Sequence, residues 1–373
     1  MKIAIASRIS LLLLTGGILF GSCGQKPIRV GFIGGLSGFN ADLGISGRNG
    51  VSLAISAINK AGGIHGRKLE LLVRDDKQDP ETAPVVFQEL VSEQVVAVIG
   101  PMTSAIAQVL IPLANTSRIP LISPSASSPE FSGIDDMFIR LTTPNTNEAL
   151  GLAQESFQRG ARKACVIDDL SNQAFSKALV RTYTAELRRL AEEKRKEIAV
   201  VALPFDPKDP QGMQTILIGL ARYQPDIVLF ATNSLDTALL AQGIRKKGFT
   251  MPFLGTGWSM SQTLIENGGS AVEGMAFTVP FNPNSEAKAW KEFSELYKET
   301  FGKPADFGAH QGWNAVQVLA GAIAQGGTRN IKEHIITTQY QGLQSSFVID
   351  AFGDPVIPFQ RLEISSGKLV AHE

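Results

Sequence analysis

The 373 residues are 44% hydrophobic and 19% charged, and their 35 basic and 35 acidic side chains cancel. Balanced charge gives no electrostatic reason to expect a nucleic-acid partner, and globular composition at this length suits two lobes of roughly 150 residues each. Only Cys23 and Cys165 are present, so stability is expected to come from the hydrophobic core and not from a disulfide framework.

The N-terminus reads as a secretory signal peptide over residues 1–22. "MKIAIASR" carries Lys2 and Arg8, "ISLLLLTGGILF" is apolar, and small residues lead to Cys23. The apolar run of 12 residues is too short for a bilayer, which takes ~20. "GSC" resembles the lipobox of bacterial lipoproteins, which implies cleavage before Cys23 and lipid on its sulfur; an ordinary signal peptide cut nearby is the alternative. Residues 23–27 would then be a lipid-anchored linker. Removing Lys2 and Arg8 leaves 33 basic against 35 acidic residues, a net charge of −2. With Cys23 lipidated, Cys165 in "KACVID" has no partner and is expected to be an inert buried thiol.

From residue 28 onward, apolar strand-like runs alternate with helical patterns. "IRVGFIGG" (28–35) is a strand ending in glycines. "GRNGVSLAISAINKAGG" spaces Val51, Leu53, Ala54, Ala57 and Ile58 along one helix face and closes on Gly62 and Gly63. A strand at 68–76 is followed by a helix with Asp79 as N-cap and Pro80 at its first position. Strands at 95–100 and 120–123 flank a helix at 103–117. After residue 145 the pattern resumes, with a helix, the strand "KACVID", a long helix at 174–196, and strands "IAVVALPF", "DIVLFAT", "PFLGTG" and "GMAFTV". Further helices fall near 210–222, 235–248, 285–302 and 309–326. The mixed charges of "AELRRLAEEKRKE" are a solvated face. Continuous apolar strands between helices predict an α/β fold of two doubly wound parallel-sheet lobes. Ligands of such sheets sit beyond the strand carboxyl ends, where "GGLSGFNADLG", "GPMTS" and "SPSASSP" leave the first lobe.

Catalytic machinery is missing from the sequence. There is no G-x-G-x-x-G, no phosphate-binding G-x-x-x-x-G-K-[ST] and no G-x-S-x-G elbow. His65, His310, His334 and His372 are scattered without metal-ligand spacing, and His65 reads as a turn residue. "RDDKQDP" groups carboxylates, but a strand end feeding an N-cap accounts for it. No enzyme activity, cofactor or metal is expected.

An ordered series of segments resembles the extracytoplasmic solute-binding proteins of the branched-chain amino-acid type, which serve ABC importers. It comprises "SGFNADLGISGRNGVSLAISAINKAGGIHGRKLELLVRDDKQDP", "VVAVIGPMTS", "PLISPSASSPE" and "MFIRLTTP", within a likeness running over about 28–365. The resemblance implies a type I periplasmic binding protein fold, with two lobes joined by three crossovers near 143–146, 277–281 and 350–357 and closing by hinge motion. Lobe 1 would hold 28–143 and 279–352, and lobe 2 would hold 144–278 and 353–373. The implied partners are a small amino acid or carboxylate and the ABC permease subunits, with membrane contact only through lipid on Cys23. A ligand-sensing receptor of the same fold, for an aromatic or aliphatic carboxylate or an amide, is the alternative, and an α/β enzyme a weaker one.

The resemblance also implies site residues. Ser104, at the start of a helix, would hold the ligand carboxylate with its hydroxyl and amide, aided by the helix dipole. Ser127 would be the second clamp, the Ser125 carbonyl would face the ammonium, and Ala126 lies between them. Ser123 and Ser128 are read as shaping the loop. Phe175 stands for a family aromatic, Asn233 or Ser234 for a tyrosine, and Phe39 and Trp258 are aromatic wall candidates. Family members place an acid near the position of Thr256, and here there is none. Either Asp42 or Asp169 replaces it, or the ligand lacks an ammonium, because an unpaired buried ammonium costs several kcal/mol.

Overall fold

In a computed structural model, which describes residues 25–38, 41–336 and 338–371, the first half of the chain winds around one parallel sheet. Its elements are β1 (Ile28–Gly34), α1 (Asp42–Lys60), β2 (Leu69–Asp75), α2 (Thr82–Ser92), β3 (Val98–Ile99), α3 (Ser104–Ser117), β4 (Leu121–Ser123) and β5 (Phe138–Arg140). The strand order is β2-β1-β3-β4-β5. The expected signal peptide, Cys23 and Phe39 lie outside the described residues. No helix among the described residues is long and apolar enough to cross a membrane.

The chain then passes to a second sheet through α4 (Asn145–Gln158). There follow β6 (Lys163–Asp169), α5 (Gln173–Glu193), β7 (Ala199–Phe205), α6 (Gly212–Tyr223), β8 (Ile227–Ala231), α7 (Ser234–Lys246), β9 (Phe253–Gly255), α8 (Gln262–Gly268) and β10 (Ala276–Val279). A return segment carries α9 (Lys288–Phe301), α10 (Phe307–Gly326), α11 (Ile331–Ile336) and the small hairpin β11 (Gln339–Gln341) and β12 (Ser346–Val348). Finally β13 (Gln360–Ser365) and β14 (Lys368–Ala371) join the second sheet, whose order is β14-β13-β10-β9-β8-β6-β7. The chain therefore moves between the sheets three times.

Strand periodicity divides the core. Along β8, Val228 and Phe230 enter one apolar cluster while Ile227, Leu229 and Ala231 enter another, as alternation on a sheet covered on both faces requires. The first sheet likewise has Val30 and Phe32 on one face and Ile33 on the other. Cys165 is fully buried, and burial pushes its thiol up to about 12. At that value it stays protonated and unreactive.

Three details depart from the sequence reading. The second sheet is not wholly parallel, because β13 pairs antiparallel with β10 and with β14. Helix α1 begins at Asp42, ahead of the apolar spacing, since "GISGRNG" is helical: its glycines permit close backbone approach to α10. A Cβ at Gly50 would sit 2.1 Å from Ala309 O. Helix α2 begins at Thr82 and not at Pro80, although Asp79 still supplies the cap by accepting from Thr82 N at 2.9 Å. His65 occupies a turn with φ 49° and bonds Ala324 O at 2.9 Å.

Candidate functional site

A cleft lined by residues from both sides opens between the sheets, mostly apolar with a few polar groups, as small-molecule sites are. One wall belongs to the start of α3 and the loop after β4. Thr103 precedes α3 in extended conformation and its side chain makes no cap, so first-turn amides are left for other acceptors. Asn172, from the opposite lobe, takes one of them: its Oδ1 accepts from Ala105 N at 2.9 Å.

The serines of the "SPSASSP" loop divide by hydrogen bonding. Ser123 Oγ donates to Pro101 O at 2.6 Å and accepts from Ala126 N at 3.0 Å, and Ser128 Oγ accepts from Glu130 N at 3.4 Å. Both shape the loop. Ser104 Oγ accepts from Ser127 N and Ser128 N, each at 3.1 Å. A hydroxyl offers one donor and two acceptor sites, so Ser104 keeps its O–H for an anion in the cleft. Ser125 is the reverse case. Its Oγ donates to Met102 O at 2.6 Å, which leaves lone pairs for a cationic or N–H group. Ser104, Ser125 and Ser127 all line the cleft.

Below the loop, the fully buried Arg140 donates to Asp354 Oδ1 at 2.6 Å, to Ser128 O at 2.7 Å and to Ser132 Oγ. This ties the serine loop to the segment that precedes β13. The loop conformation thus depends on a buried ion pair.

Apart from the Asn172 amide and one acid, the opposite wall is apolar. Phe175 and Trp258 meet edge to face with centroids 5.5 Å apart, and both line the cleft with Met260, Phe307 and Phe359. Glu148, in the first turn of α4, reaches into the cleft, where its Oε1 accepts from Gly257 N. Burial pushes its carboxyl up to about 8. The 256–258 loop, which carries no acid of its own, therefore receives one from a helix more than a hundred positions earlier.

Other expected residues stand back from the cleft. Thr256 is fully buried with Oγ1 unpartnered, and Ala126 is buried. Asn233 caps α7, its Oδ1 accepting from Asp236 N at 3.0 Å. Neither proposed substitute for the missing acid faces the cleft. Asp169 accepts from Ser171 N at 2.7 Å, and burial pushes it up to about 7. Asp42 accepts from Ser234 Oγ, and from Ser261 Oγ at 3.4 Å, and so joins α1 to the starts of α7 and α8 across the lobes. Sequence reasoning missed Glu148, Asn172 and the cleft-lining Thr143, whose Oγ1 has no protein partner.

Asp42 gives a test of closure separate from ligand contact. Asp42→Ala is expected to lower ligand affinity about tenfold, the equivalent of one charge-assisted hydrogen bond, and to enlarge the radius of gyration of the empty protein. Calorimetry with small-angle scattering measures both; unchanged values would mean that this bridge does not bias closure.

Comparison with known proteins agrees with this architecture. A family profile described as periplasmic binding protein matches residues 27–356. The leucine-, isoleucine-, valine-, threonine- and alanine-binding protein of Pseudomonas aeruginosa is 24% identical over 322 residues, covering 86% of this chain and 84% of that one. A leucine-binding protein from Thermotoga maritima superposes with TM-score 0.83 at 23% identity, over 93% of this chain and 98% of its own. A solute-binding protein from R. palustris solved with benzoate superposes with TM-score 0.82 at 19% identity, over 92% and 95%. With the profile spanning most of its length, the chain belongs to the periplasmic binding protein family and has the two-lobed type I fold of its Leu/Ile/Val-binding relatives.

Proposed function

We propose that the chain is the solute-binding component of an ABC importer, anchored through lipid on Cys23, and that it closes on an apolar amino acid or related small carboxylate. Lobe 1 (28–143 and 279–352) and lobe 2 (144–278 and 353–373) are the moving bodies, hinged at the three crossings. The carrying observation is the pairing of Ser104, whose hydroxyl is left to donate at the start of α3, with Glu148 on the facing wall. A ligand carboxylate fits the first through neutral donors and the helix dipole, and an ammonium fits the second. The apolar remainder goes against Phe175, Trp258 and Met260. Binding of leucine and related residues by the P. aeruginosa relative supports this reading.

A second reading, an aromatic carboxylate without an ammonium, is supported by the absence, among the described residues, of a charged partner for Glu148 and by the benzoate-bound neighbour. A thermal-shift panel of leucine, valine, benzoate and 4-hydroxybenzoate with their amides tests both. At a hundred times Kd a ligand should stabilise by ~2.7 kcal/mol. Acids should raise Tm and amides should not; stabilisation by the amides alone would reject the carboxylate site.

A further inference from the structure

We propose that Glu148 stands in the empty cleft as an uncharged carboxylic acid and that the ligand decides its proton: a ligand bearing an ammonium expels it, and a carboxylate without one leaves it in place. The inference rests on the binding reading above and extends it to a proton exchange.

The geometry carries it. Glu148 is 5% exposed, and one backbone N–H, from Gly257, is its hydrogen-bond donor. The elements around it are the starts of α1, α3, α5 and α10, the serine loop, residues 142–143, 257–260 and 279–280, and Phe359. Asp42 and Asp306, at the starts of α1 and α10, are held by Ser234 and Ser261 and by Ser46, and burial pushes the Asp306 carboxyl up. Among the described residues lining the cleft, these elements contribute hydroxyls, the Asn172 amide and apolar groups; Glu148 is the one titratable side chain there. On its own helix the next acid, Glu155, is engaged by Arg159 and lies 3.7 Å from Arg361. Among the described residues, therefore, no cation offsets the desolvation of an ionised Glu148, and a single amide does not replace its hydration. The acid raised by burial is the consequence.

The proton balance follows for each ligand. With an amino acid, the O–H bond of Glu148 breaks, its proton leaves to the buffer, and the carboxylate remains against the ammonium. The cleft then holds one new ion pair and the ligand carboxylate at Ser104. With benzoate, the only anion is the ligand's own, and a neutral Glu148 avoids repelling it. Leucine affinity should thus rise with pH and level off above about 8, whereas benzoate affinity should fall as Glu148 ionises.

The test uses protein carrying carbon-13 in its glutamate carboxyls, with Glu148 assigned from its loss in Glu148→Gln. In the empty protein at pH 7 the Glu148 signal should be that of the protonated acid. Leucine should shift it to the carboxylate position and benzoate should not. Calorimetry of leucine in phosphate and in Tris at pH 7 should show release of more than half a proton per site. Glu148→Gln should remove that release and weaken leucine at least tenfold. An ionised Glu148 in the empty protein overturns the proposal whatever binds. Leucine binding with buffer-independent heat overturns the exchange and leaves the binding reading intact. A protonated Glu148 with neither probe bound supports the neutral acid and counts against the ligand reading instead.

Discussion

Replacing Ser104 and Ser127 together by alanine is expected to reduce ligand affinity by about two to four orders of magnitude. Ser104 both receives two backbone amides of the adjacent serine loop and keeps its proton to donate. Each hydrogen bond to a charged group is worth ~1.5–3 kcal/mol, and each buried amide left unpaired costs ~1–3 kcal/mol. Loss of the hydroxyls removes the direct contacts, and loss of Ser104 also frees the loop that presents Ser127. The Ser127→Ala change alone removes a hydroxyl without disturbing that pairing, so its effect should be the smaller one. Calorimetry with leucine and benzoate, alongside the Tm of each empty variant, separates binding from folding. Full affinity in the double variant would remove the carboxylate from this wall.

Asp354→Ala should destabilise the protein by ~3–5 kcal/mol, the usual result of stranding one member of a buried ion pair. Arg140 has no exposed surface, and its guanidinium also supports Ser128 O. The variant should therefore lose ligand affinity as well as stability, because the serine loop is held from below. Lys288→Ala is a suitable control: that side chain is 89% exposed and pairs with Glu292, itself 65% exposed, along α9, where an ion pair is worth ~0–1 kcal/mol. Urea unfolding of both variants measures the contrast. Equal destabilisation would show that Arg140 is not the brace of the loop.

The strands and helices that pack on both faces were legible because their apolar periodicity is local. "DIVLFAT" and "KACVID" declare buried strands without knowledge of any partner. The β13–β14 hairpin was missed because its strands carry few buried residues: only Leu362 and Ile364 are in the core. Ser104, Ser125 and Ser127 were placed through the resemblance, since a serine beside a helix start is also what plain capping requires. Asn233 illustrates that ambiguity, because here the cap is what it makes. Glu148 was invisible for a different reason. An acid in the first turn of a helix reads as a favourable dipole partner, and its burial against Gly257 depends on a loop of the distant β9 strand. Arg140 was hidden likewise, as nothing in "MFIRLTTP" announces the contact with Asp354.

The account stands or falls on whether a small carboxylate occupies the cleft between the lobes. Titration calorimetry of the unmodified protein with leucine and with benzoate at pH 7 tests this most directly. Saturable one-to-one binding of at least one of them, lost when the carboxylate is converted to the amide, is the predicted result. No binding of either acid, or equal binding of an acid and its amide, would contradict it.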